Sequence, residues 1–333
     1  MGQVGGHVGA FSVADIIARG SIKGEDVARL ESIVLADGVV DAREAETLIE
    51  MHRACGVQDA AWPPFFVEAV TDYVVQQAAP EGYVNAVNAR WLLTRIAPSG
   101  LISSKAGLDL VVNVLDTARW APVSLSRCAL DQVLRAVIAG DGPLRADRGA
   151  PAGTITQAEV ALLRRILCGF GSDGHVAITR AEAEVLFAID AALSPDAASA
   201  AWIDLFVTAI TNVVLTASGY AIPTRNAALA AAGHEDAGGH AAARYAGIVA
   251  AYVSQSREER ALARLERQRI EIITNEEIMG EEASWLAECL GTGNGASAAE
   301  RTLIELLSTY AETIDPGIRQ ALSLAIDRNS AAA

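Results

Sequence analysis

Basic residues, aromatic rings and sulfur are all scarce in this chain. Its 26 Lys and Arg are outnumbered by 41 Asp and Glu, a formal charge of −15, which repels phosphate backbones and anionic lipid surfaces and argues against nucleic-acid or membrane-surface binding. The 4 cysteines, Cys55, Cys128, Cys168 and Cys289, lie far apart with no Cys-x-x-Cys or Cys/His ligand spacing, so neither a disulfide framework nor a thiolate zinc site is expected. They read as reduced core thiols in helical, apolar surroundings. Apolar runs such as Leu110 to Leu115 and Val185 to Leu193 are broken by Asn or Asp well before the length a bilayer needs, so no membrane span is expected. The first twenty residues carry neither a basic stretch nor a continuous apolar one, and a cytoplasmic location is the expectation. Gly-x-Ser-x-Gly, His-Glu-x-x-His and a Cys/His pair placed for nucleophilic chemistry are missing too, which favours a non-catalytic role.

What remains is abundant Ala, Val, Leu and Ile within a 51% hydrophobic composition, and Ala and Leu favour helix. At 333 residues the chain is long enough for two domains or an array of repeats. Self-comparison supports repetition. Val40-Asp-Ala-Arg-Glu-Ala-Glu-Thr-Leu-Ile49 followed by Trp62 and Phe66 matches Ile178-Thr-Arg-Ala-Glu-Ala-Glu-Val-Leu-Phe187 followed by Trp202 and Phe206. The Trp and Phe pairs are offset by 140 positions (202 − 62 and 206 − 66) and the Glu-Ala-Glu words by 138 (182 − 44), so a short insertion separates the landmarks. Weaker echoes start at Pro98-Ser-Gly-Leu-Ile-Ser-Ser-Lys, running to Trp120, and at Trp285, running to Glu300 and Leu307.

Within the matched segments, Val27, Leu30, Ile33 and Val34 form one helical stripe, and Ala45, Leu48, Ile49 and His52 form the next. Two such helices joined by a tight Asp-Gly turn fold back as an antiparallel hairpin. Gly38 and Gly174 suit the left-handed end of a helix. Asp41-x-x-Glu44, Thr156-x-x-Glu159, Thr179-x-x-Glu182 and Ser297-x-x-Glu300 all fit the capping box that opens a helix. The fold expected is therefore all-α, tandem repeated helical-hairpin bundles with no sheet. Its parts are an N-terminal segment at 1–26, a first helical half at 27–140 (units about 27–80 and 84–140), a linker at 141–153, a third unit at 154–218, an Ala/Gly-rich connector at 219–256, and C-terminal helices at 257–330 with a degenerate fourth unit.

The stretch Leu35-Ala-Asp-Gly-Val-Val-Asp-Ala-Arg-Glu-Ala-Glu-Thr-Leu-Ile49 resembles the central turn of the tellurite-resistance TerB-like helical domain, which also occurs at the N-terminus of a DnaJ-type membrane co-chaperone. The likeness is best from Val27 to Val74 and returns in diverged form from Leu162 to Val214. It implies an all-helical fold, an acidic surface able to hold divalent metal, and accessory roles in larger complexes and stress response. The residues it carries over are Asp37, Asp41 and Glu44, with Asp173 and Glu182 in the second good copy; the third unit has Ser99, Ser103 and Ala106 at those places.

As a metal site, Asp37, Asp41 and Glu44 would offer three oxygens to Ca²⁺ or Mg²⁺. Laid on an EF-hand loop, however, the first and third ligand positions fall on Ile33 and Leu35, which cannot ligate, so helix capping is the stronger account of the acids. His234-Glu-Asp-Ala-Gly-Gly-His240 reads as a polar connector rather than a transition-metal site, and Gly291-Thr-Gly-Asn-Gly295 as a helix end rather than a phosphate cradle. Trp62, Trp120 and Trp202 read as core anchors and His52 as a satisfied core histidine. The functional expectation is a non-catalytic, TerB-like interaction or regulatory module with an unidentified protein partner and no cofactor. The alternative is a divalent-metal binder or metal-stress sensor.

Overall fold

Helix formers, capping residues and apolar stripes at helical spacing produce a mainly helical chain in the computed structural model. It describes residues 12–34, 40–146, 149–168, 178–217, 282–290 and 296–314, with scattered positions at 254–259, 261–262, 265, 322–323 and 326. The acidic turn residues Asp37 and Asp173, Gly38 and Gly174, the His234–His240 segment and the Gly291–Gly295 loop lie outside the described residues. The chain divides into two compact units, Met1–Ala118 and Arg119–Ala333.

In the first unit, α1 (Val13–Arg19) starts on the Ser12 hydroxyl and ends at Gly20, whose φ of 69° closes the helix in the left-handed region. Next come β1 (Ser21–Ile22) and α2 (Gly24–Val34). Buried Asp26 organises this corner: its carboxylate accepts the Lys23 N–H at 2.9 Å and pairs with the Arg19 guanidinium. The chain continues through α3 (Ala42–Ala54), β2 (Val57–Gln58) and α4 (Trp62–Asp72), then one π-helical turn at Tyr73–Gln77. Pro63 and Pro64 sit in the first turn of α4, where an N–H would have no partner within the helix. α5 (Ala86–Ile96) is capped by Asn85 and α6 (Lys105–Thr117) by Ser104.

The expected absence of any sheet needs correction. β1 and β2 pair in parallel, Ser21 opposite Val57 and Ile22 opposite Gln58. Two connections, α1 to α2 and α3 to α4, run side by side and satisfy backbone groups that no helix can reach: the Val57 N–H meets the Gly20 carbonyl at 3.4 Å and the Asp59 N–H meets that of Ile22 at 2.9 Å. A pairing this short has no alternating pattern to betray it.

The second unit contains α7 (Val123–Ala139), α8 (Gln157–Cys168), α9 (Arg180–Ala192), α10 (Ala200–Ala217), α11 (Glu282–Cys289) and α12 (Ala298–Ile314). Its packing follows the order seen in the first unit. α4 packs chiefly on α6 and α10 on α12; α1 lies on α3 and α7 on α9; α2 touches α4 and α8 touches α10. The cores correspond as well, with Trp62 and Phe66 sealed in the first unit and Trp202 and Phe206 in the second. Trp120 differs from its two fellows, being half-buried and non-helical ahead of α7, so it does not share their place. The turn from Pro98 to Ser104 joins α5 to α6, and the division between the compact units falls within the 84–140 stretch.

The Gly/Pro-rich stretch 141–153 lies inside the second unit, between α7 and α8, and its described residues are anchored at several points. Gly140 ends α7 at φ 69°, and a Cβ there would stand 2.9 Å from the Ala152 nitrogen. Arg145 is sealed in the middle of the stretch. Its guanidinium makes a two-pronged bond to Glu159, at 2.9 and 3.0 Å, and also donates to the carbonyls of Ala150, Pro151 and Thr154. Among the described residues no helix is long and apolar enough to cross a membrane.

Candidate functional site

Each described turn carboxylate is committed to a helix start. Asp41 Oδ1 accepts the N–H groups of Arg43 at 2.7 Å and Glu44 at 2.8 Å, while Glu44 Oε2 accepts that of Asp41 at 2.8 Å, a closed capping box at the head of α3. At the head of α9, Glu182 Oε2 accepts the Thr179 N–H at 2.9 Å and the Thr179 hydroxyl accepts the Glu182 N–H at 3.3 Å. The boxes Thr156 to Glu159 and Ser297 to Glu300 close likewise at α8 and α12. Asp41 and Glu44 are thus neighbours, Glu182 belongs to the other unit, and no group of three or more His, Cys, Asp or Glu among the described residues is placed to hold a metal ion.

A more specific constellation sits where three helices of each unit meet. In the first unit its centre is His52, buried in the last turn of α3 and stacked on Phe66 with ring centroids 4.4 Å apart. The Trp62 indole N–H donates to His52 Nδ1 at 3.2 Å, and the Gln58 amide approaches the same nitrogen at 3.3 Å. Both are donors, so Nδ1 carries the lone pair and Nε2 carries the hydrogen. That Nε2–H faces the Ser104 hydroxyl at 2.7 Å, and the same oxygen caps α6 by accepting the Gly107 N–H at 3.0 Å. Gln58 also donates to the carbonyls of His52 and Cys55, at 3.0 and 2.9 Å, so β2 closes the C-terminal end of α3. Burial drives the imidazole pKa down to about 4, so it is neutral at pH 7.

The second unit has Asp190 in this position, eight residues after its capping glutamate just as His52 follows Glu44. Asp190 Oδ1 accepts the Trp202 indole N–H at 2.8 Å, and Ser297, at the head of α12, bonds the same carboxylate. Burial raises the carboxyl pKa, and the bonds from Ser297 and Trp202 pull it back in part. One geometric role is filled in each unit: a polar group on α3 or α9 accepts the indole N–H of α4 or α10 and bonds the serine that caps α6 or α12.

Sequence reading identified the two tryptophans and His52 as core members. It missed Asp190, Ser104 and Arg145. The 138-residue offset between Glu44 and Glu182 leads from His52 to Asp190, but two chemically unlike side chains do not read as one motif. Burial pushes the thiols of Cys128 and Cys289 up to about 11, which keeps them protonated and poorly nucleophilic at pH 7. In comparisons with family models, curated proteins and solved structures, nothing matches this chain.

Proposed function

We propose that the chain is a tandem pair of diverged TerB-like helical units that acts as a non-catalytic interaction or regulatory module, in a stress-related setting. One observation carries the reading: the polar side chains most suggestive of chemistry spend their hydrogen bonds on the helical frame, Asp41, Glu44 and Glu182 in capping helix starts and His52 and Asp190 in joining one helix to another. Groups used in this way stabilise and orient a scaffold. The matched packing order of the two units supports the tandem part of the proposal. Its acidic character, with a formal charge of −15, suits a partner that presents basic surface.

The test is affinity capture with the full chain, followed by reconstitution from purified components and native mass spectrometry with metal analysis. A stoichiometric protein complex is the expected result. Recovery of no complex, alongside turnover in an activity screen, would overturn the reading. Heat evolved with Ca²⁺, Mg²⁺ or Zn²⁺ in calorimetry, lost on substituting Asp37 or Asp41, would instead favour a metal-binding role for the turn carboxylates.

A further inference from the structure

The His52 junction has a property that a purely structural contact does not need. Its Nδ1 accepts the Trp62 indole N–H at 3.2 Å, with the Gln58 amide nitrogen, whose two hydrogens serve the carbonyls of His52 and Cys55, 3.3 Å away, while its other nitrogen is already committed as a donor to Ser104 at 2.7 Å. A neutral imidazole satisfies both Trp62 and Ser104. An imidazolium cannot, because a proton on Nδ1 meets the Trp62 hydrogen and no acceptor. We propose that His52 is the trigger of an acid-opened junction in the first unit, whose protonation breaks the bond between α3 and α4 while Ser104 at the head of α6 keeps its donor, and leaves the junction of the second unit closed.

The surroundings supply nothing to compensate the charge. Arg53 follows His52 on the same helix and carries a like charge, and just past that helix the Cys55 thiol is turned to the Ile16 carbonyl at 3.7 Å. α4 contributes the uncharged Trp62 and Phe66. Beside β2, Asp59 directs Oδ1 to the Ala61 N–H at 2.9 Å. At the head of α6, Lys105 pairs with Asp109 at 3.0 Å, and on α1, Arg19 pairs with Asp26. None of these charged groups hydrogen-bonds the imidazole, and burial is what holds its pKa low, near 4. In the second unit, Asp190 presents acceptor oxygens to its two donors, so added protons find no donor-against-donor conflict there.

The experiment is hydrogen exchange by mass spectrometry on the full chain between about pH 7 and about pH 4.5, corrected for intrinsic rates. Segments from α3 and α4 should open more readily at the lower pH by roughly fifty- to a hundredfold, the ratio expected when a histidine of ordinary pKa is held near 4 in the folded state. Segments from α9, α10 and α12 should not follow. His52→Gln, which keeps an acceptor for Trp62, should remove the difference. Should that variant fail to fold, the exchange rate of the imidazole C–H measured against pH in the unaltered chain reports the His52 pKa directly. Equal opening of both units, a pH response that survives His52→Gln, or a His52 pKa at the ordinary value near 6.5 would each overturn the proposal.

Discussion

The two compact units solve one packing problem with different chemistry at its centre. In the first, a ring that both accepts and donates links Trp62 to Ser104; in the second, a carboxylate that only accepts is flanked by Trp202 and Ser297. The indole and the serine stay while the group between them changes. What the frame demands at this place is thus an acceptor for a buried N–H, and an unmet indole would cost on the order of 1–3 kcal/mol. The units differ as well in how their first two helices join. α1 and α2 are linked by a tight turn and the two residues of β1, whereas α7 and α8 are separated by a longer segment pinned by Arg145.

The largest effect expected from breaking this comparison is at Arg145. Arg145→Met leaves Glu159 buried without its cation and frees three carbonyls, and should destabilise the second unit by about 3–5 kcal/mol in urea unfolding followed by hydrogen exchange. The first unit should be unmoved. Arg145→Met with Glu159→Gln together should recover part of the loss, and a double variant as unstable as the single one would show that the loop carbonyls dominate.

Acid response should separate the units next. His52 has a folded pKa below its unfolded value, so the unfolded state binds more protons between about pH 6.5 and 4 and the first unit loses stability as pH falls through that window. Asp190 has a folded pKa above its unfolded value near 3.8, so the folded state binds more protons and the second unit gains stability as pH falls toward that value. Asp190→Asn should abolish this gain while leaving stability at pH 7 equal or higher. A larger loss at pH 7 in the variant would mean that the carboxylate charge itself holds Trp202 and Ser297.

A smaller and symmetric effect is expected at the caps. Asp41→Ala and Thr179→Ala should each cost about 1 kcal/mol, in their own unit only, in thermal or urea unfolding. The smallest effect concerns Thr71 and Thr211, each nine residues beyond its unit's buried tryptophan. Thr71 Oγ1 accepts the Asn113 amide at 2.9 Å, and nine residues after the cap Ser297, where Asn113 follows Ser104, the second unit has Leu306. The Thr211 hydroxyl finds no partner among the described residues. Thr211→Val should therefore be neutral or stabilising by up to about 1 kcal/mol, and Thr71→Val destabilising by about as much.

Much of the helical layout is legible in the sequence because its signals are local. The four capping boxes and the stripe Ala45, Leu48, Ile49 and His52 depend on residues within a turn or two, and the structure places each at a helix start or on a buried face. The β1–β2 ladder, the Arg145 to Glu159 pair and the partnership of His52 with Ser104 join residues 14 to 52 positions apart through one or two bonds each, and such contacts leave no periodic trace. The turn acids resemble metal ligands because capping and coordination select the same short carboxylate side chains near a helix start. The segment 141–153 shows the same ambiguity in another form, since Gly and Pro mark flexible linkers and tightly bent, well-anchored turns alike.

The serine at the head of α6 and of α12 has a consequence for how the chain can change. A hydroxyl gives and receives a hydrogen bond with one atom, so Ser104 receives from a histidine while Ser297 gives to an aspartate, and both still cap their helices. An asparagine at the same place would offer an oxygen to the indole and an amide to the serine, so a substitution there need not break the frame. The cap is thereby an adapter, one that lets the interior exchange a base for an acid while the arrangement of helices around it persists.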